Sequence, residues 1–190
     1  MVDKVLFSSD STEWETPQEL FDQLNKEFNF EIDVCATYEN KKCNNWLGYG
    51  PGNIFTDGLK HNWGDMVCWM NPPYGEPEIP CVTPHEKCNK KRCKPPTKDN
   101  LTGRGFHITE YIPGVIDWVK KAYEESLKGA TVVCLLPART DTKWFHNWVL
   151  GKAEIRFIRG RLKFVGAPSF APFPSILAIY KGFESIKAVS

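Results

Sequence analysis

The sequence predicts an α/β fold with one mostly parallel sheet that ends in an antiparallel hairpin. Segments with helical spacing alternate with apolar, strand-like segments along most of the chain. Two strand segments, 66–70 and 131–136, are unbroken apolar runs, which is typical of strands buried on both faces. In such a sheet, ligands bind at the carboxyl ends of the strands. With 42% hydrophobic and 25% charged residues, the 190 residues are predicted to form one globular domain, 1–190.

The first predicted elements are a helix and a short strand. Thr16 and Glu19 match a capping box, and Pro17 suits the first helical position, so we expect a helix near 17–28. Apolar residues at helical spacing define its buried face: Leu20, Phe21, Leu24 and Phe28. A strand over 30–34 follows and is predicted to end at the next two, small residues.

The remaining elements differ in how clearly the sequence marks them. Residues 37–64 show no clear periodicity and are predicted to be irregular. Residues 76–105 are rich in Pro, Lys and Cys and poor in aliphatic residues, which indicates an inserted loop. The other predicted elements are the strand 66–70, a helix 113–128 between Pro113 and Gly129, the strand 131–136, a helix capped by Asp141, a hairpin of 155–158 and 162–165 around 159–161, and a final strand 175–180.

The charge distribution is uneven although the net charge is only +1. Residues 1–40 contain ten acidic and two basic residues, a net charge of −8, so residues 41–190 carry +9. A strongly basic remainder fits a polyanionic partner, and a solvated charged surface explains it equally well.

The cysteines and the apolar runs indicate the cellular setting. Seven cysteines are an odd number, and the first residues lack the layout of a secretion signal, so free thiols or a metal site are expected rather than disulfides. No run of about 18 apolar residues is present, so no membrane span is predicted. These observations predict a cytoplasmic protein.

The tetrapeptide Asn71-Pro72-Pro73-Tyr74 directly follows the first buried strand. Its prolines fix the backbone and make the loop stiff. The side chain of Asn71 and the carbonyl of Pro72 are acceptors that together can take both hydrogens of an amino group, and Tyr74 offers a flat face on which a planar base can stack. A base inside a duplex must flip out to reach such a loop. The alternative is a proline-stiffened turn after a strand.

This loop resembles the catalytic loop of S-adenosylmethionine-dependent amino-methyltransferases. The chain is most similar to the phage and prophage DNA adenine-N6 methyltransferase family, and the similarity covers nearly all of it except 76–105. The segments that match in order are 14–17, 30–36, 55–59 with Trp63, 135–146, 160–164 and 171–175. The resemblance implies a Rossmann-like methyltransferase sheet with abbreviated middle strands, and direct methyl transfer from S-adenosylmethionine to adenine N6.

The resemblance also implies roles for individual residues. Asn71, Pro72, Pro73 and Tyr74 would form the catalytic loop. The residues implied in cofactor binding are Thr16, Pro17, Asp33, Ala36 and Asp57. The residues expected to contact DNA are Arg139, Arg161 and Lys163. The alternatives are turn chemistry for Asp57, a satisfied cap for Asp33, and solvated charges for the bases. The sequence departs from the general methyltransferase pattern because 33–37 contains no glycine.

The insertion carries a possible metal site. Cys81, His85, Cys88 and Cys93 form a C-x3-H-x2-C-x4-C cluster that resembles a structural zinc site, with His107 as a substitute fourth ligand. Six bases lie among these residues, and Lys91 and Arg92 are the candidates for DNA phosphates: Lys87, Lys90, Lys91, Arg92, Lys94 and Lys98. The alternative is a flexible basic loop with incidental thiols.

Two other functions compete with a DNA adenine methyltransferase. One is an inactive relative that binds DNA through the insertion, and the other is a methyltransferase that acts on RNA or on protein glutamine. The intact Asn71–Tyr74 loop favours an enzyme, and the ordered set of matching segments favours DNA adenine.

Overall fold

The computed structural model describes residues 14–49, 57–83, 87–95, 97–100, 103 and 105–182. Its regular elements, in chain order, are α1 (Gln18–Phe28), β1 (Ile32–Thr37), β2 (Asn45–Tyr49), β3 (Val67–Met70), α2 (Val115–Ser126), β4 (Thr131–Pro137), β5 (Glu154–Phe157) and β6 (Ser175–Tyr180). A 3₁₀ turn covers Lys91–Cys93 and a π-helical turn covers Phe145–Val149. Within the described part of the chain, no helix is long and apolar enough to cross a membrane.

The six strands form one sheet in the order β2-β1-β3-β4-β6-β5. The first four are mutually parallel, and β6 is antiparallel to both β4 and β5. This arrangement confirms the predicted α/β fold with its C-terminal antiparallel strands. Because β1, β3 and β4 are adjacent and parallel, their carboxyl ends lie at one edge of the sheet. Strand β6 begins at the same edge, where Ser175 pairs with Pro137.

The sheet lies between two apolar cores. Along β4, Val132, Cys134 and Leu136 pack on the side of α2, whereas Val133 and Leu135 pack on the side of α1. This alternation is the period of two that a strand imposes on its side chains. All five are fully buried, as the unbroken apolar run predicts.

Strand β2 was not predicted, since 37–64 was expected to be irregular. It pairs with β1 alone, at the edge of the sheet, and therefore lacks the continuous apolar run of a strand buried on both faces. Its pairing also extends β1 to Thr37, three residues beyond the predicted end, with Ala36 opposite Gly48. A side chain on Gly48 would collide with the Ala36 carbonyl, so this close approach needs glycine.

The predicted capping box of α1 is wrong. Pro17 occupies the N-cap position rather than the first helical position, and no side chain caps the helix. The hydroxyl of Thr16 instead accepts a hydrogen bond from Asn71, a tertiary contact that replaces the local one. The predicted helix after Asp141 is the short π-helical turn, and no side-chain cap is present there either.

The predicted hairpin of 155–158 with 162–165 is also wrong. Strand β5 pairs with β6, and residues 162–165 form no strand with it. Phe164 is buried in the core on the side of α1, and Val165 pairs with Glu15 from the N-terminal segment. The connection between β5 and β6 is therefore a long segment that packs against the first described residues of the chain.

Candidate active site

The Asn71–Tyr74 loop lies at the carboxyl edge of the sheet, immediately after β3. Its neighbours on either side are the ends of β1 and β4. Asn71 is half-buried, Pro73 is exposed and Pro72 is buried. The sheet thus holds the loop at the position where an α/β sheet binds its ligands.

Three hydrogen bonds fix the carboxamide of Asn71. Its Nδ2 donates to the carbonyl of Trp14 and to Oγ1 of Thr16, the latter at 3.0 Å. Its Oδ1 accepts a hydrogen bond from the hydroxyl of Tyr74 at 2.7 Å. Because Nδ2 can only donate, these contacts settle the orientation of the amide. Oδ1 retains capacity for a second donor, such as an amino group.

The ring of Tyr74 is buried, with 7% of the residue exposed. It packs edge-on against Phe164 and Phe173, with ring centroids 6.3 Å and 5.7 Å away. Its hydroxyl also lies 3.2 Å from the carbonyl oxygen of Leu135. Burial raises the pKa of Tyr74 well above its usual value, so the hydroxyl stays a donor. Stacking of a base on Tyr74 stays a prediction, and it requires the ring to become accessible.

Asp33 is buried inside β1 and has two backbone partners. Its carboxylate accepts hydrogen bonds from the N–H of Lys42 at 3.0 Å and of Cys35 at 3.3 Å. Burial raises the pKa of Asp33 to about 6, against the effect of these two hydrogen bonds and of the Lys42 charge. The carboxylate therefore holds the backbone at the end of β1 and after it. This matches the alternative to cofactor binding, in which Asp33 is a cap with its hydrogen bonds satisfied.

Asp57 lies close to β1. A Cβ on the adjacent Gly58 would come within 2.1 Å of the Val34 carbonyl oxygen, so this backbone passes directly against the strand. The Asp57 carboxylate accepts a hydrogen bond from the N–H of Leu59 at 3.0 Å and lies 3.4 Å from Nζ of Lys60. It is partly exposed and can accept further donors. Residues 50–56, which include the rest of this predicted cofactor element, lie outside the described residues.

Lys42 is a site residue that the sequence did not mark. Its ammonium group bonds Glu15 at 3.0 Å and Gln18 at 3.2 Å, while its backbone N–H bonds Asp33. Lys42 therefore ties the segment before α1 to the connection between β1 and β2. It lies in the region predicted to be irregular, and its partners are distant in sequence, so no local signal identifies it.

The candidate DNA contacts are exposed near the same edge. Arg139 follows β4, and Arg161 and Lys163 lie on the segment between β5 and β6. The structure brings these last two residues to the start of α1. A cleft of about 270 Å³ there is lined by Pro17, Glu19, Leu20, Gln23, Arg161, Leu162 and Lys163.

The insertion and the residue that follows it by two positions, His107, bring together four metal-ligating side chains. Sγ of Cys81 lies 3.3 Å from Sγ of Cys88 and 4.0 Å from Sγ of Cys93. A ring nitrogen of His107 completes the group, and the four donor atoms all lie within 4.8 Å of one another. His85, the predicted fourth ligand, lies outside the described residues, and His107 is the substitute that the sequence suggested.

Along the chain, basic residues alternate with Cys88 and Cys93 in the insertion. Its described lysine side chains are all exposed: Lys87, Lys90, Lys91, Lys94 and Lys98. The backbone of Arg92 lies in the 3₁₀ turn with Lys91, and its side chain is not described.

A mostly parallel α/β sheet with an Asn-Pro-Pro-Tyr loop at its carboxyl edge is the arrangement expected of a Rossmann-like methyltransferase. The chain belongs to the DNA N-6-adenine-methyltransferase (Dam) family, whose sequence model matches residues 5–183. The match confirms the resemblance drawn from the motifs and places the chain in a family of DNA adenine-specific methyltransferases.

Two phage proteins are similar to the chain over most of its length. A DNA N-6-adenine-methyltransferase of Haemophilus phage HP1 (strain HP1c1) is 27% identical over 161 residues, which cover 83% of this chain and 68% of that protein. A DNA N-6-adenine-methyltransferase of Escherichia phage T1 is 26% identical over 151 residues, covering 78% of this chain and 45% of that protein. The chain thus spans about two thirds of one relative and less than half of the other. No solved structure matches it significantly.

Proposed function

We propose that the chain transfers a methyl group from S-adenosylmethionine to N6 of adenine in DNA. The observation that carries the proposal is the Asn71–Tyr74 loop at the carboxyl edge of β3, in a chain of the DNA adenine methyltransferase family. Since both relatives are phage proteins, the setting we propose is the cytoplasm of a bacterial host.

Asn71 and the Pro72 carbonyl are the proposed acceptors for the adenine amino group. The contacts of Asn71 with Trp14, Thr16 and Tyr74 hold Oδ1 in place before substrate arrives. Two acceptors on the N6 hydrogens direct the nitrogen lone pair toward an electrophile. The acceleration comes from positioning and from preorganised dipoles, with no covalent enzyme intermediate. The adenine must leave the duplex to reach this loop.

The residues at the end of β1 fit the cofactor that the family implies. S-adenosylmethionine, when bound, supplies the electrophilic methyl group. Asp57 offers a partly exposed carboxylate beside β1, which suits an amine or hydroxyl donor. Thr16, Pro17 and Ala36 are the further residues proposed to contact the cofactor, and Thr16 already bonds Asn71. Asp33 is proposed to act through the backbone of Cys35 and Lys42, which its carboxylate holds.

DNA phosphates are the proposed partners of the exposed bases at this edge: Arg139, Arg161, Lys163, Lys91 and Arg92. The insertion is proposed to contain a structural zinc ion, because three thiols and an imidazole are a donor set that zinc favours. These surfaces are the proposed means of contacting the target DNA.

Methyl transfer tests the proposal directly. Purified protein is incubated with labelled S-adenosylmethionine and unmethylated DNA, and the digested DNA is analysed for N6-methyladenine. We expect label in N6-methyladenine, and a loss of about 10²–10³ in kcat for Asn71→Ala with cofactor binding retained. The exposed Asn44→Ala is the matched control and should remain active. Label in RNA or protein but not in DNA, or full activity of Asn71→Ala, would contradict the proposal.

A further inference from the structure

We propose that Cys81, Cys88, Cys93 and His107 bind one zinc ion, and that this ion positions the basic stretch of the insertion beside the catalytic loop. The ligand assignment rests on geometry alone. The positioning role rests in addition on the proposed function in DNA methylation.

The spacing of the donor atoms fits a tetrahedral zinc site. A Zn–S bond of about 2.3 Å gives an S–S edge of about 3.8 Å in a regular tetrahedron. The two Sγ–Sγ distances from Cys81, 3.3 Å and 4.0 Å, lie on either side of this value. The nitrogen of His107 is within 4.8 Å of all three sulfurs. Soft thiolates with one imidazole select zinc over calcium or magnesium.

The exposure of the side chains around Cys81 supports a metal at this site. Ile79 and Val82, on either side of Cys81, are 75% and 92% exposed. Cys88 and Cys93, whose thiols are able to bind a metal, are buried. The usual order is reversed, because aliphatic side chains normally form the interior of a folded segment. In structural zinc sites, ligand bonds supply the folding energy that the described residues of this segment do not gain from burying Ile79 and Val82.

The four ligands come from two segments, the paired backbone around Cys81 and His107 and the basic stretch 87–98. Glu78 and Ile112 exchange two backbone hydrogen bonds of 2.9 and 3.0 Å, and the N–H of Cys81 donates to the Ile108 carbonyl at 2.9 Å. This short ladder brings Cys81 beside His107. Cys88 and Cys93 belong to the other part, residues 87–98, which contains six bases and no acid. The ion therefore joins the basic stretch to the ladder.

The ladder continues directly into the catalytic loop. The N–H of Val115, the first residue of α2, donates to the carbonyl of Gly75 at 2.9 Å. A Cβ on the intervening Gly114 would lie 2.3 Å from the backbone nitrogen of Pro77, so the segment that leaves the loop and the segment that enters α2 are in contact here. Fixing residues 87–98 on this ladder therefore fixes their lysines relative to Asn71 and Tyr74. Loss of the ion should weaken DNA binding without changing the affinity for S-adenosylmethionine.

Metal content distinguishes the ligand sets. The full chain is purified without chelator and analysed for zinc, alongside His107→Ala, His85→Ala and His107→Cys. We expect about one zinc per chain in the wild type, in His85→Ala and in His107→Cys, which keeps a ligand, and less than about half an equivalent in His107→Ala. Zinc lost from His85→Ala but kept in His107→Ala would overturn the assignment, as would a metal-free wild type.

Thiol titration and binding assays complete the test. In denaturant with chelator, all seven cysteines should react, and two fewer would indicate a disulfide in place of the metal site. We expect His107→Ala to bind DNA about tenfold more weakly, with unchanged S-adenosylmethionine affinity and with recovery in His107→Cys. Unchanged DNA affinity would overturn the positioning role. A zinc-loaded wild type that methylates no DNA would instead refute the proposed function and leave the ligand set standing.

Discussion

At the level of single residues, Tyr74 and Asn71 form one unit. The tyrosine hydroxyl donates to the same oxygen of Asn71 that the proposed mechanism assigns to the adenine amino group. An amide oxygen has two lone pairs, so both contacts can coexist. Tyr74 is therefore placed to hold Asn71 in addition to any stacking role.

Tyr74→Phe separates this hydrogen bond from the packing of the ring. We expect kcat to fall about fivefold, the equivalent of one hydrogen bond of about 1 kcal/mol, and the free energy of unfolding to fall by about 1 kcal/mol. Tyr74→Ala removes a buried ring as well and should cost about 3–5 kcal/mol of stability, so its activity alone is not informative. Kinetics and denaturant unfolding of both variants make the comparison.

Tyr180→Phe provides the control. Tyr180 is equally buried, and its hydroxyl donates to the Trp148 carbonyl at 2.8 Å, in the core on the α2 side of the sheet. It should lose a similar amount of stability and keep full activity. If Tyr74→Phe is as active as the wild type, Tyr74 does not position Asn71.

Local signals predicted the position of the Asn71–Tyr74 loop but not the contacts that hold it. Asn71–Tyr74 is a contiguous motif after an apolar run, so its place at the end of a strand follows from sequence. Thr16 illustrates the opposite case. Its spacing to Glu19 predicts a capping box, yet its hydroxyl contacts Asn71, 55 residues away. A residue that is able to cap a helix is equally able to make a tertiary hydrogen bond, and sequence spacing does not distinguish the two.

At the level of elements, Glu125 connects α2 to the segment that carries Asp57. It is completely buried, and its carboxylate accepts hydrogen bonds from the N–H of Trp63 at 2.9 Å and from Lys121 and Lys128. The Trp63 indole in turn donates to the Gly58 carbonyl at 2.9 Å. Burial alone would raise the pKa of Glu125, but the hydrogen bonds from Lys121, Lys128 and Trp63 outweigh it and lower the pKa.

Glu125→Gln should therefore destabilise the fold by about 3 kcal/mol at neutral pH, near the low end for a broken buried ion pair because Lys128 is half-exposed. The neighbouring Glu124→Gln, on an exposed pair with Lys120, should cost less than about 1 kcal/mol. Unfolding by denaturant gives both values.

The pH dependence of this difference has a definite sign. Since folding lowers the pKa of Glu125, its stabilisation is present above the unfolded-state pKa of about 4.3 and is lost as the pH falls below it. The stability gap between the wild type and Glu125→Gln should therefore narrow in acid. A gap that widens in acid would mean that the carboxylate is not stabilised by its lysines.

Elements were predictable where burial on both faces produced a continuous apolar run. Strands β3 and β4 have this property and lie where the sequence placed them. Strand β2 is an edge strand with a glycine, and the partner of β5 is set by long-range pairing with β6. Neither feature leaves a periodic signal in a window of ten residues, because edge strands are half-solvated and pairing is not a local property.

At the level of the whole molecule, the sheet topology places exposed bases at both edges of the sheet, and those at the carboxyl edge lie beside the Asn71–Tyr74 loop. Arg139, Arg161 and the insertion follow or precede strands at this edge, whereas Lys26 and Lys152 lie before strands β1 and β5, at the opposite edge. The net charge of +1 is the same for either arrangement. If the carboxyl edge faces DNA, the DNA affinity should fall when a lysine at this edge is removed and stay unchanged when a lysine at the opposite edge is removed.

The salt dependence of DNA binding measures this difference. Each phosphate contact contributes about −0.9 to the slope of log K against log salt concentration on duplex DNA. The double variant Lys91→Ala/Lys94→Ala should therefore reduce the slope by about 2. Lys26→Ala/Lys152→Ala makes the same change in net charge and should leave the slope unchanged. Equal changes in both variants would show that DNA responds to the overall charge, and that the basic stretch of the insertion makes no direct contact with the phosphates.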